Sequence, residues 1–107
     1  MKILITGTSQ GIGKAIAERF LKENHEVIGI DRNDAAISHG NYVHHKCDVC
    51  DYDNLPDIKD VNVLINNAGT QNENDIDVNL KALIHITEKY GVQEKIHSIL
   101  NIGSASA

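Results

Sequence analysis

The sequence predicts an α/β fold, a doubly wound parallel sheet of about five strands with helices on both faces. Short apolar runs alternate with stretches of helical periodicity along the chain. The runs before Gly7 and Asn66 are apolar at successive positions, as strands buried on both faces would be. A glycine-rich segment joins the first run to the first helical pattern.

In order, strands are expected at Lys2–Thr6, Glu26–Asp31, Tyr42–Cys47, Val61–Asn66 and Ser98–Ile102, each rich in Ile, Val or Leu or ending in Gly, Asp or Asn. The first helix pattern, Gly11–Asn24, places Ile12, Ala15, Ile16, Phe20 and Leu21 on one stripe. The second, Asp75–Tyr90, does the same with Ile76, Leu80, Leu83, Ile84 and Thr87, and Gly91 follows as a stop signal. Pro56 limits Asp51–Lys59 to a short helix at best.

The chain has 107 residues, 41% of them hydrophobic and 23% charged, which suits one domain over residues 1–107. Ten Lys and Arg against fifteen Asp and Glu give a formal net charge of −5. That balance argues against nucleic acid and anionic membranes as partners. Trp is absent and aromatics are 4%, so stacking platforms for single-stranded nucleic acid are not expected. No apolar run reaches the roughly 20 residues of a membrane span, and the start lacks a signal-peptide pattern. Two cysteines, Cys47 and Cys50, are too few for a disulfide framework, so a cytoplasmic location is expected.

The segment Thr6-Gly7-Thr8-Ser9-Gln10-Gly11-Ile12-Gly13 follows the first strand and opens the first helix. Glycines there permit a tight turn and a close approach of backbone to a pyrophosphate, while the helix start offers N–H groups and a positive dipole end. A merely flexible turn is the bland alternative. Asp31 ends the second strand, where a carboxylate can accept from both ribose hydroxyls and repel a 2′-phosphate. An Asp at a strand end is also a common turn former. With Gln10 rather than Arg or Lys before Gly11, NAD is favoured over NADP, and Arg32 is the residue that speaks for NADP.

These motifs and those that follow resemble the N-terminal portion of the short-chain dehydrogenase/reductase family. Thr6–Gly13 matches that family's T-G-x-x-x-G-I-G, and Asn66-Asn67-Ala68-Gly69 its N-N-A-G. Asp48-Val49 stands where the family places an Asp that contacts the adenine. Asn79 lies where it has its catalytic Asn, and Asn101-Ile102-Gly103-Ser104 looks like the end of the strand carrying its catalytic Ser. The resemblance implies a Rossmann-like sheet in the order 3-2-1-4-5, truncated before the family's final strands. It implies hydride exchange between a nicotinamide and an alcohol or carbonyl substrate. Gly7, Thr8, Ser9, Gln10, Gly11, Ile12, Gly13, Asp31, Arg32, Asp48, Val49 and Asn66–Gly69 would contact the cofactor, Ser104 would orient the substrate oxygen, and Asn79 would support a proton relay.

The family's acid/base Tyr-x-x-x-Lys has no counterpart after Ser104, so the chain is expected to be inactive alone. Tyr42 and Lys46 match the string formally but fall on an expected strand, where such residues lie about 13 Å apart. Cys47-x-x-Cys50, near His44 and His45, reads as semi-buried thiols rather than a metal or redox site, because no second Cys pair supplies four ligands. No metal is expected. A non-catalytic module that binds a dinucleotide or a partner is the alternative function. An uncovered fifth strand and apolar helix stripe predict a homo-oligomer.

Overall fold

The structure, a computed structural model, describes residues 1–67 and 76–102. Its elements are β1 (Lys2–Thr6), α1 (Gly11–Lys22), β2 (Glu26–Asp31), β3 (Tyr42–Lys46), a short 3-10 turn (Tyr52–Asn54), β4 (Val63–Asn66), α2 (Ile76–Tyr90) and β5 (Ser98–Asn101). All five strands run parallel, in the order β3-β2-β1-β4-β5. This is the architecture that the sequence pattern predicts and the strand order that the family resemblance implies. None of the described helices is long and apolar enough to cross a membrane.

The successive apolar residues of the central strands serve two cores. Side chains alternate across a sheet, so a strand covered on both sides must be apolar at every position. Ile3 and Ile5 of β1, Val27 of β2, and Val63 and Ile65 of β4 pack with Ala17 and Leu21 of α1. Leu4, Ile28, Ile30 and Leu64 point the other way and meet Ala82, Ile86 and Tyr90 of α2. In register, Leu4 lies between Ile28 and Leu64, which makes that second core a continuous row across three strands. Val49, Leu55, Ile58 and Val61, from the connection between β3 and β4, close its edge.

Element ends differ from the expected ones by a residue or two. β3 stops at Lys46, one residue before Cys47, and β5 at Asn101, one before Ile102. β4 begins at Val63 rather than Val61, because the Val61 N–H turns aside to the Gln93 side-chain oxygen at 3.0 Å. α1 ends at Lys22 rather than Asn24. Asn24 adopts a left-handed φ of 68°, its N–H bonds the Leu21 carbonyl at 3.0 Å, and the His25 N–H bonds the Phe20 carbonyl at 3.1 Å. This is a Schellman closure with Asn in the place usually held by Gly.

The helix faces also differ. On α1 the buried residues are Gly13, Ala17 and Leu21, flanked by half-buried Ile16 and Phe20, while Ile12 is 60% exposed and Ala15 is exposed. The helix is rotated so that the Gly13, Ala17 and Leu21 row meets the sheet. On α2 the contact runs through Ala82, Ile86 and Tyr90, and the expected stripe residues Leu80 and Ile84 are 51% and 48% exposed. The helix is apolar over more than one face, so period alone did not select which face the sheet takes.

Candidate nucleotide site

Gly7 leaves β1 with φ 79° and Gly11 enters α1 with φ 60°, both in the left-handed region where a side chain strains the backbone. Space beyond Gly11 is open, with nothing within 4 Å of an added Cβ. Gly13 has the opposite reason: a Cβ there would run into the Gly7 carbonyl and the Asn67 amide. Its absence lets α1 approach β1 closely. Gln10 precedes the helix in extended backbone, its side chain makes no cap bond, and the first turn carries no acidic residue. The Gln10 side chain therefore leaves the first N–H groups of α1 uncapped, and such groups are able to meet an anion. Thr8 is fully buried, while Gln10, Gly11 and Ile12 are exposed around the crease.

Asp31 closes β2 and is only 9% exposed. Its Oδ2 accepts the Ser9 N–H at 3.0 Å, and its Oδ1 accepts the Asn33 N–H at 2.8 Å. The second bond is the turn-forming role; the first ties the carboxylate to the glycine loop. Each oxygen keeps lone-pair capacity for a further donor. The Ser9 hydroxyl donates to the Asp34 carbonyl at 2.9 Å, and Arg32 is exposed.

At the end of β4 two asparagines divide the work. The Asn67 backbone N–H donates to Thr6 Oγ1 at 3.0 Å and its side-chain amide donates to the Gly7 carbonyl at 3.1 Å, so it locks the exit of β1. Asn66 points to the other face and donates to Thr87 Oγ1 at 3.3 Å and Asn101 Oδ1 at 3.0 Å, bridging β4, α2 and β5. Asp48 is exposed and its Oδ1 accepts the Cys50 N–H at 2.9 Å, while the Val49 side chain belongs to the core beside α2. Asn79 is half-buried near the start of α2. Because Thr87 neighbours the end of β4, that start lies beyond the C-terminal ends of the strands. Ala68, Gly69 and Ser104 lie outside the described residues.

A family model described as short chain dehydrogenase matches residues 1–107. The chain belongs to the short chain dehydrogenase family. A benzil reductase ((S)-benzoin forming) of Bacillus cereus is 40% identical over 87 residues, 64% of this chain and 35% of its own length. A solved C-terminal deletion mutant of Thermoplasma acidophilum aldohexose dehydrogenase is 31% identical with a TM-score of 0.73, covering 96% of this chain and 50% of that one. Serine dehydrogenase from Escherichia coli shares the fold with a TM-score of 0.78 at 24% identity, covering 99% of this chain and 63% of that one. The chain spans 32% to 44% of the length of the curated relatives it matches.

Within this short chain dehydrogenase fold, the Tyr42 and Lys46 pair lies on strand β3, not on a helix. The Tyr42 hydroxyl is 2.7 Å from Thr8 Oγ1 and 2.7 Å from His44 Nδ1, and Lys46 pairs instead with Asp34 at 3.0 Å. Burial pushes the Tyr42 phenol above its ordinary value; the Thr8 hydrogen bond opposes the rise and the Asp31 carboxylate adds to it. Sequence reasoning set Tyr42 aside, met His44 only as a neighbour of the Cys47 and Cys50 pair, and did not single out Asn33. The signal was Gly29, a glycine in the middle of a strand, where a Cβ would run into the Tyr42 and Thr8 hydroxyls. Cys47 and Cys50 are not joined by a disulfide and pack partly against the α2-side core. Burial, then Asp51 and Asp48, push the Cys47 thiol up, the reverse of an activated thiol.

Proposed function

We propose that this chain is the nucleotide-binding part of an oxidoreductase, and that NAD, rather than NADP, lies across the crease between β1 and α1. The diphosphate would meet the N–H groups of Gly11–Gly13, and the adenosine ribose would meet Asp31. The carrying observation is the buried Asp31 carboxylate, already oriented by Ser9 and Asn33 and facing the glycine loop. The open space beyond Gly11 and the close approach allowed at Gly13 fit a diphosphate at the same crease. When bound, the nicotinamide supplies hydride exchange with an alcohol or carbonyl carbon. Of this chain's residues, Ser104 would orient the substrate oxygen and Asn79 would support proton movement. Asp48 would border the adenine with the Val49 backbone, and Ala68 and Gly69 would border the cofactor beyond Asn67. A homo-oligomer formed through exposed Leu80 and Ile84 of α2, or along β5 where Ile99 and Leu100 are exposed, belongs to the same reading.

Calorimetric titration tests the cofactor. NAD is expected to bind and NADP to bind at least about tenfold more weakly, a difference of roughly 1.4 kcal/mol. Equal affinities would remove Asp31 as the discriminating group. Absence of binding by either nucleotide would overturn the reading and leave an interaction module.

A further inference from the structure

A row of polar groups crosses the α1 face of the sheet and meets the glycine motif only at Thr8. Gly29 leaves a slot in β2, and through it Tyr42, the first residue of β3, reaches over to Thr8 after β1. The same phenol oxygen meets His44 Nδ1, and His44 Nε2 lies 2.9 Å from the Asn33 carbonyl oxygen. Chemistry fixes the direction of this row. A carbonyl only accepts, so Nε2 carries the hydrogen, and in the neutral imidazole Nδ1 is then the acceptor. The phenol then donates to His44, and the Thr8 hydroxyl donates to the phenol oxygen. An ordinary phenol is protonated near neutral pH, as the donor role needs, and burial and the Asp31 charge push it further in that direction.

Both ends of the row flank Asp31. Thr8 immediately precedes Ser9, whose N–H holds Oδ2, and Asn33 itself holds Oδ1. Residues 32–41 form no helix or strand, so the start of this connection takes its anchorage from neighbouring side chains. Ser9 and Lys46 add theirs at Asp34. We propose that Tyr42 and His44 are positioning residues of the nucleotide site, bracing the Thr8–Ser9 and Asn33 backbone on either side of Asp31 and so setting the carboxylate for the adenosine ribose. This rests on the nucleotide reading above.

Adenosine 5′-monophosphate, titrated by calorimetry, is the probe because it carries the adenosine ribose without the nicotinamide. Tyr42→Phe keeps the ring in its slot and is expected to weaken binding about three- to tenfold, the worth of one hydrogen bond. His44→Leu, at a half-buried position on the sheet's edge strand, is expected to lose a similar factor and serves if Tyr42→Phe does not fold. Tyr90→Phe is the structural control. It removes another buried phenol's bond, to the Pro56 carbonyl near the opposite end of the sheet, and should lower the unfolding temperature without moving affinity. Wild-type affinity in both Tyr42→Phe and His44→Leu would overturn the proposal while leaving the nucleotide reading intact. No binding by the unaltered chain would overturn both. In the unaltered chain without nucleotide, long-range ¹H–¹⁵N NMR should show His44 as the Nε2–H tautomer; the Nδ1–H tautomer would overturn the row's direction and the proposal with it.

Discussion

A carboxylate that two backbone N–H groups already hold need not be ordered when a sugar arrives, so its bonds to the sugar count almost fully toward affinity. That is the position of Asp31 between Ser9 and Asn33. Asp31→Asn replaces one acceptor oxygen with a donor, which must then face an N–H or a ribose hydroxyl. Hydrogen bonds to a charged group are worth about 1.5–3 kcal/mol, so NAD affinity should fall about tenfold or more. NADP should lose less, and the ratio of the two calorimetric affinities is the decisive reading. Gly13 answers to packing instead. Gly13→Ala forces a Cβ against the Gly7 carbonyl, and α1 must lift from β1 or the loop must shift. A stability loss of about 1–3 kcal/mol in urea unfolding is expected, the range for overpacking a tight contact. Cys47 supplies a third test at this scale. With its thiol pushed up by burial and by Asp51 and Asp48, its alkylation at neutral pH should be slower than that of a free thiol such as glutathione. Equal rates by mass spectrometry would contradict that environment.

At the scale of elements, α2 shows what a sequence can and cannot specify. Its position after β4 and its end before Gly91 were legible, because apolar periodicity and a stop residue mark them. Its buried face was not. Leu80, Leu83, Ile84 and Ile86 crowd more than one side, and the sheet selected Ala82, Ile86 and Tyr90. Ile86→Ala should therefore cost about 2–5 kcal/mol of unfolding free energy, whereas Leu80→Ser should stay within about 0.5 kcal/mol of wild type. A large loss from Leu80→Ser with a small one from Ile86→Ala would mean the helix sits on its other face. The same contrast runs through the candidate site. The turns at Gly7 and Gly11 and the strand end at Asp31 could be read from the sequence because turn geometry is local. Tyr42 could not. Its contact with Thr8 depends on β3 pairing with β2 so that Tyr42 lies beside Val27 and within reach of Gly29, and no local pattern encodes that register. The rotation of α1 was hidden for a similar reason, since the Gly13 contact needs both the Gly7 turn and Asn67, which arrives from β4.

Across the whole molecule, the candidate site lies at the C-terminal ends of the strands, and the opposite end is closed by a different set of bonds. Asn62 accepts the Lys2 N–H at 2.8 Å and donates to the Lys95 carbonyl at 3.1 Å, while Gln93 donates to the Ile58 carbonyl at 2.8 Å. Tyr90 is the centre of this closure. It is 1% exposed, and its hydroxyl donates to the Pro56 carbonyl at 2.5 Å. Burial, with smaller contributions from Cys47 and Asp57, pushes its phenol far above the ordinary value. The sign of the consequence follows from linkage. A native phenol with a raised value keeps its proton where the unfolded chain has already lost it. Stability from this group is complete below the ordinary phenol value of about 10 and declines as pH climbs above it. The raised Tyr42 phenol acts in the same direction. Urea unfolding should therefore give a falling midpoint between about pH 9 and pH 11. Tyr90→Phe should start from a lower midpoint, because it loses the bond to Pro56, and should fall less steeply, because one proton-linked group is gone. Identical slopes for the two proteins would show that Tyr90 ionises as freely in the folded chain as in the unfolded one, and that the closure around Pro56 is open to water.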